Sequence, residues 1–70
     1  MGTNKGTTLR VLSDTPYSRT EAIWDGDRLT LFYYPKNAVG DLIKERRQFI
    51  ILSRPEARLL EDFIEDNGIV

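Results

Sequence analysis

The chain has 70 residues, with ten Lys and Arg against eleven Asp and Glu, a net charge of −1, no Cys and no His. That length allows one domain, and a core of this size rarely supplies more than about 3–5 kcal/mol without a staple or a partner. Missing Cys excludes a disulfide and a thiolate metal site, and missing His excludes Ser–His and Cys–His nucleophile pairs and any group titrating naturally near neutrality.

Residues 1–7 offer almost nothing apolar to anchor them and are predicted to form a flexible N-terminal tail, leaving residues 8–70 as one domain. Thr8-Leu9-Arg10-Val11-Leu12 is a β-prone run, stopped by Ser13-Asp14-Thr15-Pro16. Arg19 to Trp24 is a second strand candidate, and Asp25-Gly26-Asp27 after it is a hairpin signal. Arg28 to Tyr34 is the clearest strand. Leu29, Leu31 and Tyr33 alternate there with Arg28, Thr30, Phe32 and Tyr34, so both faces carry large side chains.

Pro35 closes that strand, and a loop through Lys36 to Asp41 follows. Arg47 to Leu52 is the fourth strand candidate. Its apolar run is nearly continuous, which predicts a place inside the sheet or against a partner.

The pattern then changes period. Ser53-Arg54-Pro55-Glu56 fits a capping box, with Pro55 in the first turn where a missing N–H costs nothing. Ala57, Leu60, Phe63 and Ile64 recur at helical spacing, Leu59 widens the stripe, and Asn67-Gly68 supplies a stop. The helix is predicted over about Arg54 to Asp66. The expected fold is α+β: a four-stranded antiparallel sheet followed by one C-terminal helix, ββββα. One helix covers only one face of such a sheet. The other, with its aromatics and arginines, stays open.

Charge divides along the chain. Residues 1–54 hold nine basic residues and six acids, whereas residues 55–70 hold Arg58 against Glu56, Glu61, Asp62, Glu65 and Asp66. A basic sheet with interleaved aromatics suits single-stranded nucleic acid, because cations track phosphates while rings stack on unpaired bases. The candidate binding residues are Arg19, Trp24, Arg28, Phe32, Tyr34, Lys44, Arg46 and Arg47. Six of them have a plainer reading as well: Lys44, Arg46 and Arg47 as a solvated junction, Trp24 as core, Phe32 and Tyr34 as a face buried by a second subunit. The helix stripe Ala57, Leu60, Phe63 and Ile64 is the expected dimer interface, since it adds to more apolar surface than a small monomer should leave wet.

No enzymatic activity, cofactor or metal is expected. Asp25 and Asp27 flank a glycine and read as turn carboxylates, and 70 residues leave little material to wall a cleft. No signal-like or membrane-spanning apolar run is present, so no membrane association is expected. A soluble intracellular setting, whether cytoplasm, nucleoid or nucleus, is the default.

Several features together resemble the C-terminal domain of the positive cofactor four type of transcriptional coactivator, over roughly Arg19 to Ile64. They are Trp24-Asp25-Gly26-Asp27-Arg28-Leu29, the strand ending in Tyr33-Tyr34, the loop with Gly40-Asp41 and Lys44, and Arg47 leading into Ile50-Ile51-Leu52-Ser53 and Pro55-Glu56. The resemblance implies a homodimer that binds single-stranded DNA in basic channels. It implies phosphate contacts from Arg28, Lys44 and Arg47, with Trp24 as a stacking residue. The chain departs from the family at its acidic turn, Asp25-Gly26-Asp27, and at Phe32, where a basic strand residue is expected. The expected function is thus a single-stranded DNA- or RNA-binding module, an accessory to transcription or replication acting as a homodimer. The alternatives are a protein-interaction module docking on a larger complex and a structural subunit of one.

Overall fold

The chain is a meander, with two short turns and one longer connection between β3 and β4. The computed structural model describes residues 6–68, and within them the elements are β1 (Thr8–Asp14), β2 (Ser18–Trp24), β3 (Arg28–Pro35), a 3-10 turn (Lys44–Arg46), β4 (Gln48–Ser53) and α1 (Arg54–Asp66). All neighbouring strands pair antiparallel, in the order β1-β2-β3-β4. The predicted ββββα, α+β architecture is what the chain adopts. Most of the expected tail, residues 1–5, lies outside the described residues.

Side chains set the turns. Between β1 and β2 the Thr15 hydroxyl accepts from the amides of Tyr17 and Ser18, each at 3.1 Å. Between β2 and β3 the Asp25 carboxylate accepts from the amides of Asp27 (2.9 Å) and Arg28 (2.8 Å). Gly26 has φ +92° there, a left-handed backbone that a side chain would strain and that the primed hairpin turns need. Asn37 organises the long connection by accepting from the amides of Val39 and Asp41, both at 3.0 Å.

Two expectations are corrected. β1 does not stop at Leu12: a bulge there lets Ser13 and Asp14 stay paired with Thr20 and Arg19. β4 does not lie inside the sheet. The meander places it at an edge, so one side of its apolar backbone run meets no strand among the described residues.

Directly opposed residues share a face, so the register divides the sheet cleanly. One face carries Trp24, Leu29, Leu31, Tyr33, Ile50 and Leu52; the other carries Arg19, Glu21, Ile23, Phe32, Tyr34, Phe49 and Ile51. The helix follows Ser53 without a loop. Ser53 ends β4 and is also the N-cap, its hydroxyl accepting from the Glu56 amide (3.4 Å) while Glu56 accepts from the Ser53 amide (2.9 Å). At the far end the Asn67 and Gly68 amides reach back to Phe63 and Glu65 carbonyls, with Gly68 at φ +63°.

α1 lies over β3 and β4, and its first turn also reaches Trp24 at the end of β2. Ala57, Leu60 and Ile64 turn toward Leu29 and line with it an open groove of about 400 Å³. No apolar side chain is fully buried among the described residues. The fold is broad and thin, 39 × 36 × 16 Å, with a radius of gyration of 14.3 Å, against about 11 Å for a compact chain of this length.

The capping box yields a direct test. Ser53→Ala is expected to lower stability by about 1 kcal/mol, read as a shift in the urea midpoint with unchanged slope.

Candidate functional site

The face turned away from the helix holds a contiguous set of rings. Phe32 and Tyr34, two apart on β3, stack with centroids 5.8 Å apart and planes at 18°. Phe49 lies opposite Phe32 in the register, at 5.6 Å and 39°. Phe49 was not among the sequence candidates. The run Phe49-Ile50-Ile51-Leu52 is apolar at every position, so alternation gave no phase, and only pairing with β3 assigns its face.

Charged groups adjoin the rings. Arg19 is opposite Tyr34 on one side and Asp14 on the other. Its Nε donates to Glu21 Oε2 at 2.7 Å, and its Nη1 lies 3.7 Å from Asp14 Oδ2. Lys36, past the end of β3, donates from Nζ to Asp14 Oδ1 at 2.5 Å. Glu21 is the buried member of the set. Buried charge is tolerated only when paired, and the Arg19 guanidinium supplies the partner. Lys36 too was missing from the sequence candidates. Its place follows from the length of β3, which carries the alternation past Pro35.

The remaining candidates are dispersed. Arg28 shares the ring-bearing face by alternation on β3 but sits at its opposite end. Lys44, Arg46 and Arg47 are exposed, in or just after the 3-10 turn, and make no ion pair among the described residues. Arg47 donates from Nη1 to the Lys44 carbonyl at 3.2 Å. Its extended backbone leads into β4 two residues before Phe49.

Trp24 is separated from the other rings. It lies on the helix face, opposite Leu29. The Arg54 guanidinium sits 5.9 Å from its ring centroid and donates to the Gly26 carbonyl at 2.6 Å. That arrangement ties the start of α1 to the β2–β3 turn. Trp24, Arg54, Ala57, Arg58 and Glu61 line a second open cleft beside it.

The expected dimer stripe also divides. Ala57, Leu60 and Ile64 are half-buried against their own sheet, while Phe63 is 59% exposed. Leu59, 68% exposed, joins Phe63 on the outer side of the helix. No helix among the described residues is long and apolar enough to cross a membrane. No family model, curated protein or solved structure matches the chain.

Two carboxyls are held below their ordinary value of 3.8: Asp14 by the Lys36 hydrogen bond first and the nearby cations of Lys36 and Arg19 after it, and Asp25 by the amides of Arg28 and Asp27. Both are favoured as anions in the folded chain. Their contribution is therefore fully present above pH 3.8 and is lost as pH falls through the lower folded values. The thermal midpoint, followed by circular dichroism, is expected to drop on acidification below that point. Asp25→Asn should flatten the dependence; an unchanged acid profile would remove Asp25 from the account.

Proposed function

We propose that the chain is a single-stranded nucleic-acid-binding module that acts as a homodimer, with the Phe32–Tyr34–Phe49 face as its stacking platform. The observation that carries this reading is the continuity of the three rings on the face the helix leaves open. Stacked bases gain about 1–3 kcal/mol each on such rings without regard to sequence. Arg28 at one end of the face, and Arg47 with Lys44 and Arg46 near Phe49, are the cations available to phosphates. Trp24 is not part of this platform: its ring already carries the Arg54 guanidinium on the opposite face.

Homodimerisation is supported by the absence of a buried apolar core among the described residues. A sheet and a helix that bury no apolar side chain fully are short of the main driving force for folding, and a second copy on the helix side would add to it. Leu59 and Phe63 would then reach the partner, with Ala57, Leu60 and Ile64 completing the interface beneath them. The resemblance to the positive cofactor four type of domain points to single-strand binding and a homodimer as well, but it implies Trp24 as the stacking residue, which this platform does not include.

A second reading, a protein-interaction module, is favoured by the acids Glu61, Asp62, Glu65 and Asp66 along the helix and by the internal pairing of Arg19 and Lys36. Both readings place surfaces on the same fold, and nucleic-acid binding separates them.

Titration of a fluorescent single-stranded oligonucleotide is expected to give binding tighter than about 100 μM at low salt, weaker with rising salt and weaker still for duplex. Arg46→Glu with Arg47→Glu should lower that affinity without changing the thermal midpoint. Absence of binding at low salt would favour the protein-interaction reading. Sedimentation at micromolar concentration should give twice the chain mass; a monomer throughout would exclude the dimer.

A further inference from the structure

The cations nearest the Phe32–Tyr34 stack are not free. Arg19 adjoins Tyr34 in the register, and Lys36 follows Tyr34 by two residues, yet each is bound to Asp14. One carboxylate thereby serves two cations, Oδ1 accepting from Lys36 and Oδ2 facing Arg19. A phosphodiester presents the same chemistry to these groups: two anionic oxygens able to accept from an ammonium and a guanidinium.

We infer that Asp14 is an intramolecular competitor for nucleic-acid phosphate, holding Lys36 and Arg19 beside the ring platform in a carboxylate-bound state that an incoming phosphodiester displaces. The inference rests on the reading of that platform as a single-strand binding face.

The two carboxylates of the network are unequal, and the inequality makes Asp14 the exchangeable one. Glu21 has a side chain only 12% exposed and meets Arg19 Nε at 2.7 Å, so it fixes the guanidinium stem and would be costly to leave unpaired. Asp14 is 46% exposed and lies 3.7 Å from Arg19 Nη1. Its carboxylate can return to water when a phosphate replaces it, at little desolvation cost. Lys36, 15% exposed, stays where its stem is packed and changes only its partner. Asp14 therefore subtracts up to two phosphate contacts from a face that otherwise has stacking in excess of charge. Binding is left more dependent on unstacked bases and less on salt than the ten basic residues would imply.

The test is Asp14→Asn, which keeps the shape and removes the charge. Deoxythymidine and uridine oligomers, titrated from low to moderate salt, distinguish DNA from RNA as the phosphate source. Every additional cation–phosphate pair should steepen the log affinity–log salt slope by about 0.7 and raise affinity about 5-fold at roughly 0.1 M salt. The variant is thus expected to bind about 5- to 25-fold more tightly than the parent. Adding Lys36→Gln should return the slope toward that of the parent. A folded variant whose affinity and slope match the parent's would overturn the role of Asp14 while leaving the platform intact. If neither protein binds either oligomer, the platform reading fails and the competitor role with it. A second measurement needs no variant. Carbon-13 titration of the Asp14 carboxyl in the parent chain should show its pKa rising toward the ordinary range when the oligomer is saturating, and an unmoved value would contradict displacement.

Discussion

The fold depends on one junction. Ser53 is the last residue of β4 and the N-cap of α1, with no residue between them to turn the helix back across the sheet. Its capping box with Glu56 stabilises that abrupt change of backbone, and Arg54 fastens the first helical turn to the Gly26 carbonyl and the Trp24 ring. The direction in which the helix leaves is thereby set at its first turn. A 13-residue helix is about 20 Å long, and beyond that first-turn contact with Trp24 it lies over β3 and β4. The rest of its own face, Leu31, Tyr33 and Ile50 among them, is left for something else to cover.

An uncovered sheet is unusual because each face must meet either water or a partner. Here the two faces are chemically different. The helix face is dominated by aliphatic side chains and continues onto Leu59 and Phe63, the surface proposed to meet a second copy. The opposite face mixes rings with ionised groups, and its charge is largely internally balanced through Asp14, Glu21, Arg19 and Lys36. That network also has a structural role. It joins the end of β1 to β2 and to the residue following β3, at the end of the sheet farthest from the helix junction. The proposed phosphate binding and the cohesion of the sheet would thus draw on the same few cations.

The balance also explains how a chain with net charge −1 can be considered for nucleic-acid binding. The acids of α1 belong to the helix side of the sheet, Glu61 and Glu65 lining the groove beside Leu29, while Lys44, Arg46 and Arg47 stand at the mouth of β4 with no carboxylate on them among the described residues. Local placement, not the sum, decides what a polyanion meets within a Debye length of the surface. An acidic Asp25-Gly26-Asp27 turn is accommodated for the same reason: Asp25 spends its carboxylate on two backbone amides and Gly26 gives the hairpin its left-handed residue.

Local chemistry made much of the architecture legible in the sequence. Alternation on β3, the Asp-Gly turn, and a helix running from Arg54 to Asp66 between a capping box and Asn67-Gly68 all depend on residues close in sequence, where spacing alone dictates the backbone. Strand existence followed from the same signals, and the four-strand, one-helix order with it. What depends on pairing across the chain was not legible. Phe49 belongs with Phe32 because β4 aligns with β3 in one register, and its uniformly apolar run concealed that phase. Asp14 stays in β1 because of a bulge at Leu12. Trp24 parts from Phe32 and Tyr34 because the register pairs even-numbered residues of β2 with odd-numbered residues of β3, so even positions of the two strands fall on opposite faces. The sequence by itself determined the elements and their amphipathic character. Only the tertiary structure decided which rings, cations and carboxylates share a face, since that is fixed by register and by the exit direction of the helix.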